Sequence, residues 1–450
     1  MVNTDKGIKW IIDKLKKDQS PDGSWAYPFE TGITTDAYTI ILLRTLAVHE
    51  ERLIQGLVQR ILSRQSKKGA WKLFADEENG GNISSTLEAY YALLASGYVK
   101  RDDPRLLSAK TFILESGGIE NTGMFTKIML AITGQYKWPA VSPLPVEMIL
   151  LPPSCPINLY HFSVFGRANL VPIMILASLK FSMKMAGSPD LSDLFSQKTP
   201  QYLWPGSKEV LKFIEKELKK LSEIPEQLHL EALDRAKKYM LGRIEPDGTF
   251  YSYFSSTFLM IFALLSLGHF KNGPIIQNAV KGLLAMKTTI GGLPHMQYTT
   301  ANVWNTALIS YSLQNAGVSP EDETVAAANR YLFTRQHNQY GDWKIHNPLV
   351  SPGGWGESCL SDIHQTYIPL HHSTLTHTAW ALDALIAVLD RPAEEINRGI
   401  TYLLSSIAKR DWTTEYPKGQ GMAGGFYIHY HSYRYIFPLL ALGNYRRKYQ

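Results

Sequence analysis

Apolar residues along most of this chain recur every three or four positions, the spacing of one buried face on an α-helix. The first such run is Gly7 to Lys17, carrying Ile11, Ile12 and Leu15. A second runs from Thr35 to Leu46, with Asp36 near its start, where a carboxylate suits the helix dipole. A third is Leu53 to Arg64. The same spacing predicts helices over 85–96, 106–114, 125–132, 170–181, 208–223 and 228–243. It continues over 257–267, 274–286, 303–314, 324–336, 376–389, 394–406 and 427–442. At 85–96, Ser84 or Ser85 with Glu88 makes a capping-box pattern. The charged run 208–223 reads as a solvated amphipathic face. Period-two alternation is almost absent, so the expected fold class is all-α.

Two stretches break the helical spacing. Over 137–156, Pro139, Pro143, Pro145, Pro152, Pro153 and Pro156 exclude a regular helix, although Leu144, Met148, Ile149, Leu150 and Leu151 are apolar. That segment reads as a loop packed on the core. Over 182–206, Leu191, Leu194, Phe195, Tyr202, Leu203 and Trp204 sit among Pro189, Pro200 and Pro205. It is either a surface loop or a segment that dips into one membrane leaflet.

Between helices a turn repeats. Gln19, Gly23 and Trp25 have the same spacing as Gln65, Gly69 and Trp71, and Gln336, Gly341 and Trp343 form a copy one residue longer. Weaker echoes lie at Asp247-Gly248-Thr249-Phe250 and Asp411-Trp412. One copy is ordinary turn chemistry; two identical spacings and a near-copy are a repeat. The physical reading is a helix end where Gly adopts positive φ, Gln bonds free backbone groups, and Trp is buried between neighbouring helices. Stacked helix pairs of this kind cannot bury their apolar faces alone.

Composition narrows the function. At 450 residues, two domains are expected, and the apolar share of 45% is that of a globular protein. The net charge of +6 shows no basic stripe interleaved with aromatics, so nucleic acid is not an expected partner. A mildly basic surface suits anionic lipid. Cys155 and Cys359 make neither a disulfide framework nor a metal spacing. His364, His371, His372 and His377 match no known ligand pattern, and no cofactor or metal is expected. Residues 1–9 do not read as a signal peptide, and no apolar run is long enough to span a bilayer.

The repeat resembles the QW repeat of class II triterpene cyclases, the squalene–hopene and sesquarterpene (tetraprenyl-β-curcumene) cyclase family. The likeness covers most of the chain, including Thr86-Leu87-Glu88-Ala89-Tyr90, Phe125-Thr126-Lys127 and Ile157-Asn158-Leu159-Tyr160-His161-Phe162. It continues in Val303-Trp304-Asn305-Thr306-Ala307-Leu308, Thr378-Ala379-Trp380-Ala381-Leu382 and Phe426-Tyr427-Ile428-His429-Tyr430-His431-Ser432-Tyr433. The resemblance implies an α/α-barrel terpenoid-cyclase fold, with residues 28–270 as an inserted α-barrel and residues 1–27 plus 271–450 as a second one. Asp36, Glu88 and Lys127 match polar positions of the family that look structural, and by the same resemblance the stretch 137–156, beside its reading as a core-packed loop, is part of the approach to a buried lipid pocket.

What the family does is protonate an alkene and guide a carbocation cascade. The acid is an Asp-x-Asp-Asp motif, and the cations are steadied by aromatic faces. By resemblance, Trp304, Phe426, Tyr430 and Tyr433 are pocket aromatics, Phe165 stands where many members have Trp, and Met422 where hopene cyclases have Phe. The spacing of Phe426, Tyr430 and Tyr433 suggests one helical face, which by itself favours an ordinary core stripe; only the resemblance makes it a pocket. No Asp-x-Asp-Asp occurs in the chain. Family members carry two glycine–tryptophan turns that flank the acid region. Here Gly353-Gly354-Trp355-Gly356 joins the context of the first, Trp343 to Pro352, to that of the last, Glu357-Ser358-Cys359. The block between is expected to be missing, which would leave the second barrel halved, and the catalytic acid is unknown. Asp342, Glu357 and Asp362 are the carboxyls near the junction.

Two functions therefore stand. One is a polyprenyl cyclase acting on squalene or tetraprenyl-β-curcumene. The other is a non-catalytic protein that binds isoprenoid lipid without turnover. In both, the expected partners are a long-chain isoprenoid hydrocarbon and one leaflet of a membrane on its cytoplasmic side, with a homodimer as a way to cover the halved barrel.

Overall fold

A computed structural model describes residues 3–139, 145–153, 155, 158–196, 226–334, 372–422 and 425–450. Helices dominate it. In chain order they are α1 (Asp5–Asp18), α2 (Thr34–Leu46), α3 (Glu51–Ser63), α4 (Ile83–Ser96), α5 (Pro104–Glu115), α6 (Met124–Ile132) and α7 (Val164–Ser178). They continue with α8 (Glu226–Leu241), α9 (Phe254–Ser266), α10 (Pro274–Ala285), α11 (Asn302–Asn315) and α12 (Glu323–Thr334). Last come α13 (Leu375–Val388), α14 (Glu394–Ser406) and α15 (Tyr433–Tyr449). The predicted helix at 208–223 and the third turn copy at 336–343 lie outside the described residues.

Five short strands interrupt the helices: β1 (Phe29–Glu30), β2 (Lys287–Ile290), β3 (Leu293–Met296), β4 (Gly419–Met422) and β5 (Phe426–Tyr430). The β2–β3 hairpin turns at Gly291-Gly292, both at positive φ, as a type I′ two-residue loop requires. β5 lies between β1 and β4, antiparallel to each. The expected helix over 427–442 is therefore wrong at its start. Tyr427, Ile428 and Tyr430 favour the pleated backbone, and both edges of that backbone are paired, so the helix begins only at Tyr433. A second correction concerns α4. Its cap is Asn82, whose side chain accepts from the Ser85 amide, rather than Ser84 or Ser85.

The repeated turn has one geometry. Gln19 Nε2 donates to the Gly23 and Thr324 carbonyls, and Gln65 Nε2 to those of Gly69 and Arg105. Trp25 and Trp71 are fully buried, and their indole N–H groups donate to the Leu15 and Ile61 carbonyls at 2.8 and 2.6 Å. The Trp25, Trp71 and Phe250 amides each donate to a threonine hydroxyl, of Thr306, Thr86 and Thr257. Gly69 sits at φ +81°, and a Cβ there would lie 2.5 Å from Ser108 Cβ. The turn thus clamps the end of one helix against two others.

The buried apolar residues form two large cores. One is built from Phe29 through Ala301 with Phe426. The other joins α1 and Trp25 to α11 through α15. Trp380 packs at the edge of the second core against Phe437, with ring centroids 5.1 Å apart.

Between the cores runs a buried ion network. Arg60, 2% exposed, donates from NH2 to Glu30 at 2.5 Å and from Nε to Asp36 at 2.9 Å. Asp36 also accepts from the Met296 amide and contacts His295 Nδ1 at 3.0 Å. Burial alone would raise the Glu30 carboxyl, but the His431 hydrogen bond and the Arg60 charge outweigh it and hold the group well below the usual range.

Of the two irregular stretches, Val146 and Met148 pack into the first core, as a core-packed loop should. Leu191 and Leu194 are also buried there, while 197–206 lies outside the described residues.

Candidate active site

Strand β5 carries aromatic residues from one core to the other. Phe426 and Tyr430 are four residues apart on it, so the two-residue period puts both on one face. Phe426 belongs to the first core, whereas Tyr430 packs against both.

From Phe426 the rings run inward through the first core. Its centroid is 4.7 Å from Tyr298, which is 6.1 Å from Phe165 and 6.3 Å from Tyr253. Phe165 and Tyr253 meet edge to face at 5.3 Å. The Tyr298 hydroxyl bonds Ser255, which donates to Asn169 at 2.6 Å, and Asn169 donates to the Phe165 carbonyl. That relay fixes the rings of α7 and the 298 loop relative to each other. Phe426 itself lies against Gly421, where a Cβ would run into its ring.

From Tyr430 the rings run into the second core. Phe29 meets Tyr430 edge-on at 4.8 Å, across the β1–β5 pair. Tyr433 stacks on Tyr430 at 4.5 Å, and its other neighbours are Phe437 at 4.8 Å and Trp380 at 6.5 Å. Trp304 Nε1 donates to the Tyr433 hydroxyl at 3.2 Å, with the indole 52% exposed beside a cavity of about 590 Å³ lined by Val303, Ala307 and Tyr331.

Burial pushes the Tyr430 phenol up to about 12 and raises those of Tyr253, Tyr298 and Tyr433 as well. These groups stay protonated at neutral pH and present neutral ring faces. Such faces carry negative quadrupole density and attract a cation by about 0.5–2 kcal/mol each.

The structure thus places Phe165 and Phe426 in one group of rings, joined through Tyr298, and Tyr430, Tyr433 and Trp304 in a second, with Phe426 and Tyr430 on one face of β5. Met422 ends β4 opposite Phe426 in the strand register. The geometry that unites Phe426, Tyr430 and Tyr433 is a strand followed by a helix start, not the single helical face their spacing suggests. Phe29, Tyr253, Tyr298, Phe437 and Gly421 went unrecognised in the sequence. Only their composition, aromatic or glycine beside an aromatic stretch, hinted at them. Among the described residues no group of three His, Cys, Asp or Glu side chains is arranged to hold a metal. His372 and His377 instead pack against Trp412 and Trp380. His364, His371, Asp342, Glu357 and Asp362 lie outside the described residues.

Comparison with known proteins matches residues 8–290 to the squalene-hopene cyclase N-terminal domain. The C-terminal domain of the same family is matched twice, over 300–355 and over 351–447. The two matches overlap at the glycine–tryptophan junction. Sporulenol synthase from Bacillus subtilis is 28% identical over 613 aligned positions, which cover 97% of this chain and 96% of that protein. Since this chain has only 450 residues, a large block of the relative has no counterpart in it. Squalene-hopene cyclases from Schizosaccharomyces japonicus and Alicyclobacillus acidocaldarius are 29% and 27% identical, and the matches cover 85% and 83% of this chain. They span 62% and 59% of those proteins. The helix-rich architecture and the two domain matches fit an α/α-barrel terpenoid-cyclase fold.

Proposed function

The chain belongs to the squalene-hopene cyclase family, and from that premise we propose that it is a polyprenyl cyclase. Its substrate class is a long isoprenoid hydrocarbon such as squalene or tetraprenyl-β-curcumene. The observation that carries this reading is two groups of neutral aromatic rings that meet on one face of β5, Phe165 with Phe426 through Tyr298, and Tyr430 with Tyr433 and Trp304. A polyene folded along those faces meets a cation-stabilising surface at successive positions, and at the buried Phe426 and Tyr433 water that would quench the cation is excluded. Residues 28–270 then form the inserted barrel, and residues 1–27 with 271–450 form the second, catalytic-type barrel. Protonation requires a carboxylic acid held neutral, and Asp342, Glu357 and Asp362 are the first to substitute in search of it.

An insoluble substrate calls for contact with one membrane leaflet, on the cytoplasmic side. No helix among the described residues is long and apolar enough to cross a membrane. Support for peripheral contact comes from Leu179, Leu228 and Leu230, all exposed around the Ser178–His229 hydrogen bond that joins the end of α7 to α8. A homodimer would cover Val303, Tyr311 and Phe333, exposed on α11 and α12.

The test is incubation of the full chain with each polyene at low detergent, with products resolved by gas chromatography and mass spectrometry. A cyclised product supports the proposal. Saturable binding of a squalene analogue with no product would show an isoprenoid-binding protein instead.

A further inference from the structure

A cleft of about 550 Å³ opens where the two cores meet, lined by chain neighbours of the aromatic run but by none of its residues. Its walls are Lys14 on α1, Arg60 and Arg64 on α3, the β2–β3 hairpin, the 410–415 turn, His429 and His431 of the β5 end, and Arg434 at the start of α15. The carboxylates that reach it are already engaged. Asp18 accepts from Lys14 and from the Tyr27 hydroxyl at 2.6 Å. Glu415 faces Arg64 at 3.3 Å, and behind them Glu30 is shared by Arg60, Arg64 and His431.

Two guanidiniums are left over. Among the described residues, neither Arg410 nor Arg434 has a carboxylate within ion-pair distance. Arg434 donates from NH2 to the Ile407 and Lys409 carbonyls, at 3.3 and 2.6 Å, but its buried Nε has no acceptor. Burial, and the like charge of Arg410, push its guanidinium below its usual range. His429 is 5% exposed and lines the same cleft, and its Nδ1 has no hydrogen-bond partner. The orphaned Arg434 Nε and His429 Nδ1 are costly to bury without an acceptor, and the exposed Arg410 guanidinium adds positive charge to the same cleft. Planar guanidinium forks match the oxygens of a phosphate or diphosphate. The cleft volume exceeds that of a single oxyanion and lies in the range of small-ligand sites.

We propose that this cleft binds a phosphate-bearing anion, with Arg410 and Arg434 as its guanidinium partners and His429 Nδ1 as a further donor. The neutral hydrocarbon proposed for the aromatic run explains none of these groups, so the two sites stand or fall separately. The phosphate can come from a soluble diphosphate or from a phospholipid headgroup.

The test uses the full chain with two probes. Inorganic pyrophosphate is titrated calorimetrically, and vesicles of phosphatidylcholine with and without phosphatidylglycerol are used in co-sedimentation. The same measurements are made on Arg410→Glu, whose exposed, unpaired side chain can change without disturbing the fold, as circular dichroism will verify. Saturable pyrophosphate binding, weakened at least about tenfold by the charge reversal, supports a soluble diphosphate as the source. No pyrophosphate binding, but phosphatidylglycerol-dependent sedimentation lost in Arg410→Glu, supports the headgroup. Binding of neither probe, or equal binding by the parent chain and Arg410→Glu, overturns the proposal.

Discussion

Tyr430 and Tyr433 stack nearly parallel, 4.5 Å apart and 10° from coplanar, across the point where β5 gives way to α15. Tyr430 is held by the strand pairing to Phe29, and Tyr433 by Trp304 and the second core. The stack is therefore a side-chain link between the cores as well as part of the proposed site. Replacing Tyr433 by Phe removes the Trp304 acceptor but keeps the ring. It should cost about 1 kcal/mol or less, and any cyclisation activity should persist. Tyr433→Ala should cost about 3–5 kcal/mol, since it deletes a buried aromatic side chain. Urea unfolding of both variants checks this.

Gly421 is a positioning residue for Phe426. Gly421→Ala forces the ring off its seat, because the new Cβ would occupy the same space. The expected outcome is a folded protein with an altered product ratio rather than simple loss of turnover. An unchanged product profile would show that Phe426 does not touch the substrate.

The repeated turn makes a stability prediction. Gly69→Ala combines positive φ with a clash against Ser108. It should cost about 2–4 kcal/mol, the sum of left-handed strain and overpacking. Gln65→Ala removes two hydrogen bonds to carbonyls and should cost about 1–2 kcal/mol. Chemical unfolding measures both, and equal small losses would contradict the clamp.

Glu88 accepts from the hydroxyls of Thr34, Tyr38 and Thr126 and so ties α2, α4 and α6 together, with no cation beside it in the network. Burial raises its carboxyl despite those bonds. Glu88→Ala strands the buried hydroxyls of Tyr38 and Thr126 and should cost about 2–4 kcal/mol, whereas Glu88→Gln keeps polar partners and should cost less. Equal losses in thermal unfolding would mean that packing, not the hydroxyl network, is what Glu88 supplies.

Acid should weaken the second core first. Burial, with help from Lys418, lowers the His377 imidazole to about 4, below its ordinary value near 6.5. Between those values the unfolded chain binds a proton that the folded one refuses. The stability contributed is thus present above pH 6.5 and lost as pH falls toward 4. His429, lowered by burial, acts in the same direction. Glu30, held below the usual carboxylate range, adds its loss only at still lower pH. A melting temperature measured from pH 7 to pH 4 should fall less steeply in His377→Gln than in the parent chain.

Helices that bury one face were legible for that reason. α14 runs from Glu394 to Ser406, as its apolar spacing of Ile396, Ile400 and Leu403 indicates. The turn was legible because Gln, Gly and Trp each have one stereochemical task. Its threonine partners were not, since Thr306 lies far from Trp25 in the chain and only folding brings it there. The strand at 426–430 was misread because aromatic residues four apart fit a helix face and a strand face equally. The pairing with β1, about 400 residues away, decided between them. For the same reason the site's inner wall, Tyr253 and Tyr298, carries no local signal: it is assembled by the closure of α7 and α9 around the 298 loop.

The central claim is that the aromatic run crossing β5 holds a polyene during cyclisation. Product analysis of the parent chain beside Tyr430→Leu, with squalene and with tetraprenyl-β-curcumene, tests it most directly. The leucine keeps apolar bulk and removes the ring face, and circular dichroism confirms the fold. The account predicts a cyclic product from the parent chain and a drop of at least about tenfold in Tyr430→Leu, from the loss of one desolvated cation–ring contact. A parent chain that yields no cyclic product, or a leucine variant that makes the same product at the same rate, would contradict it.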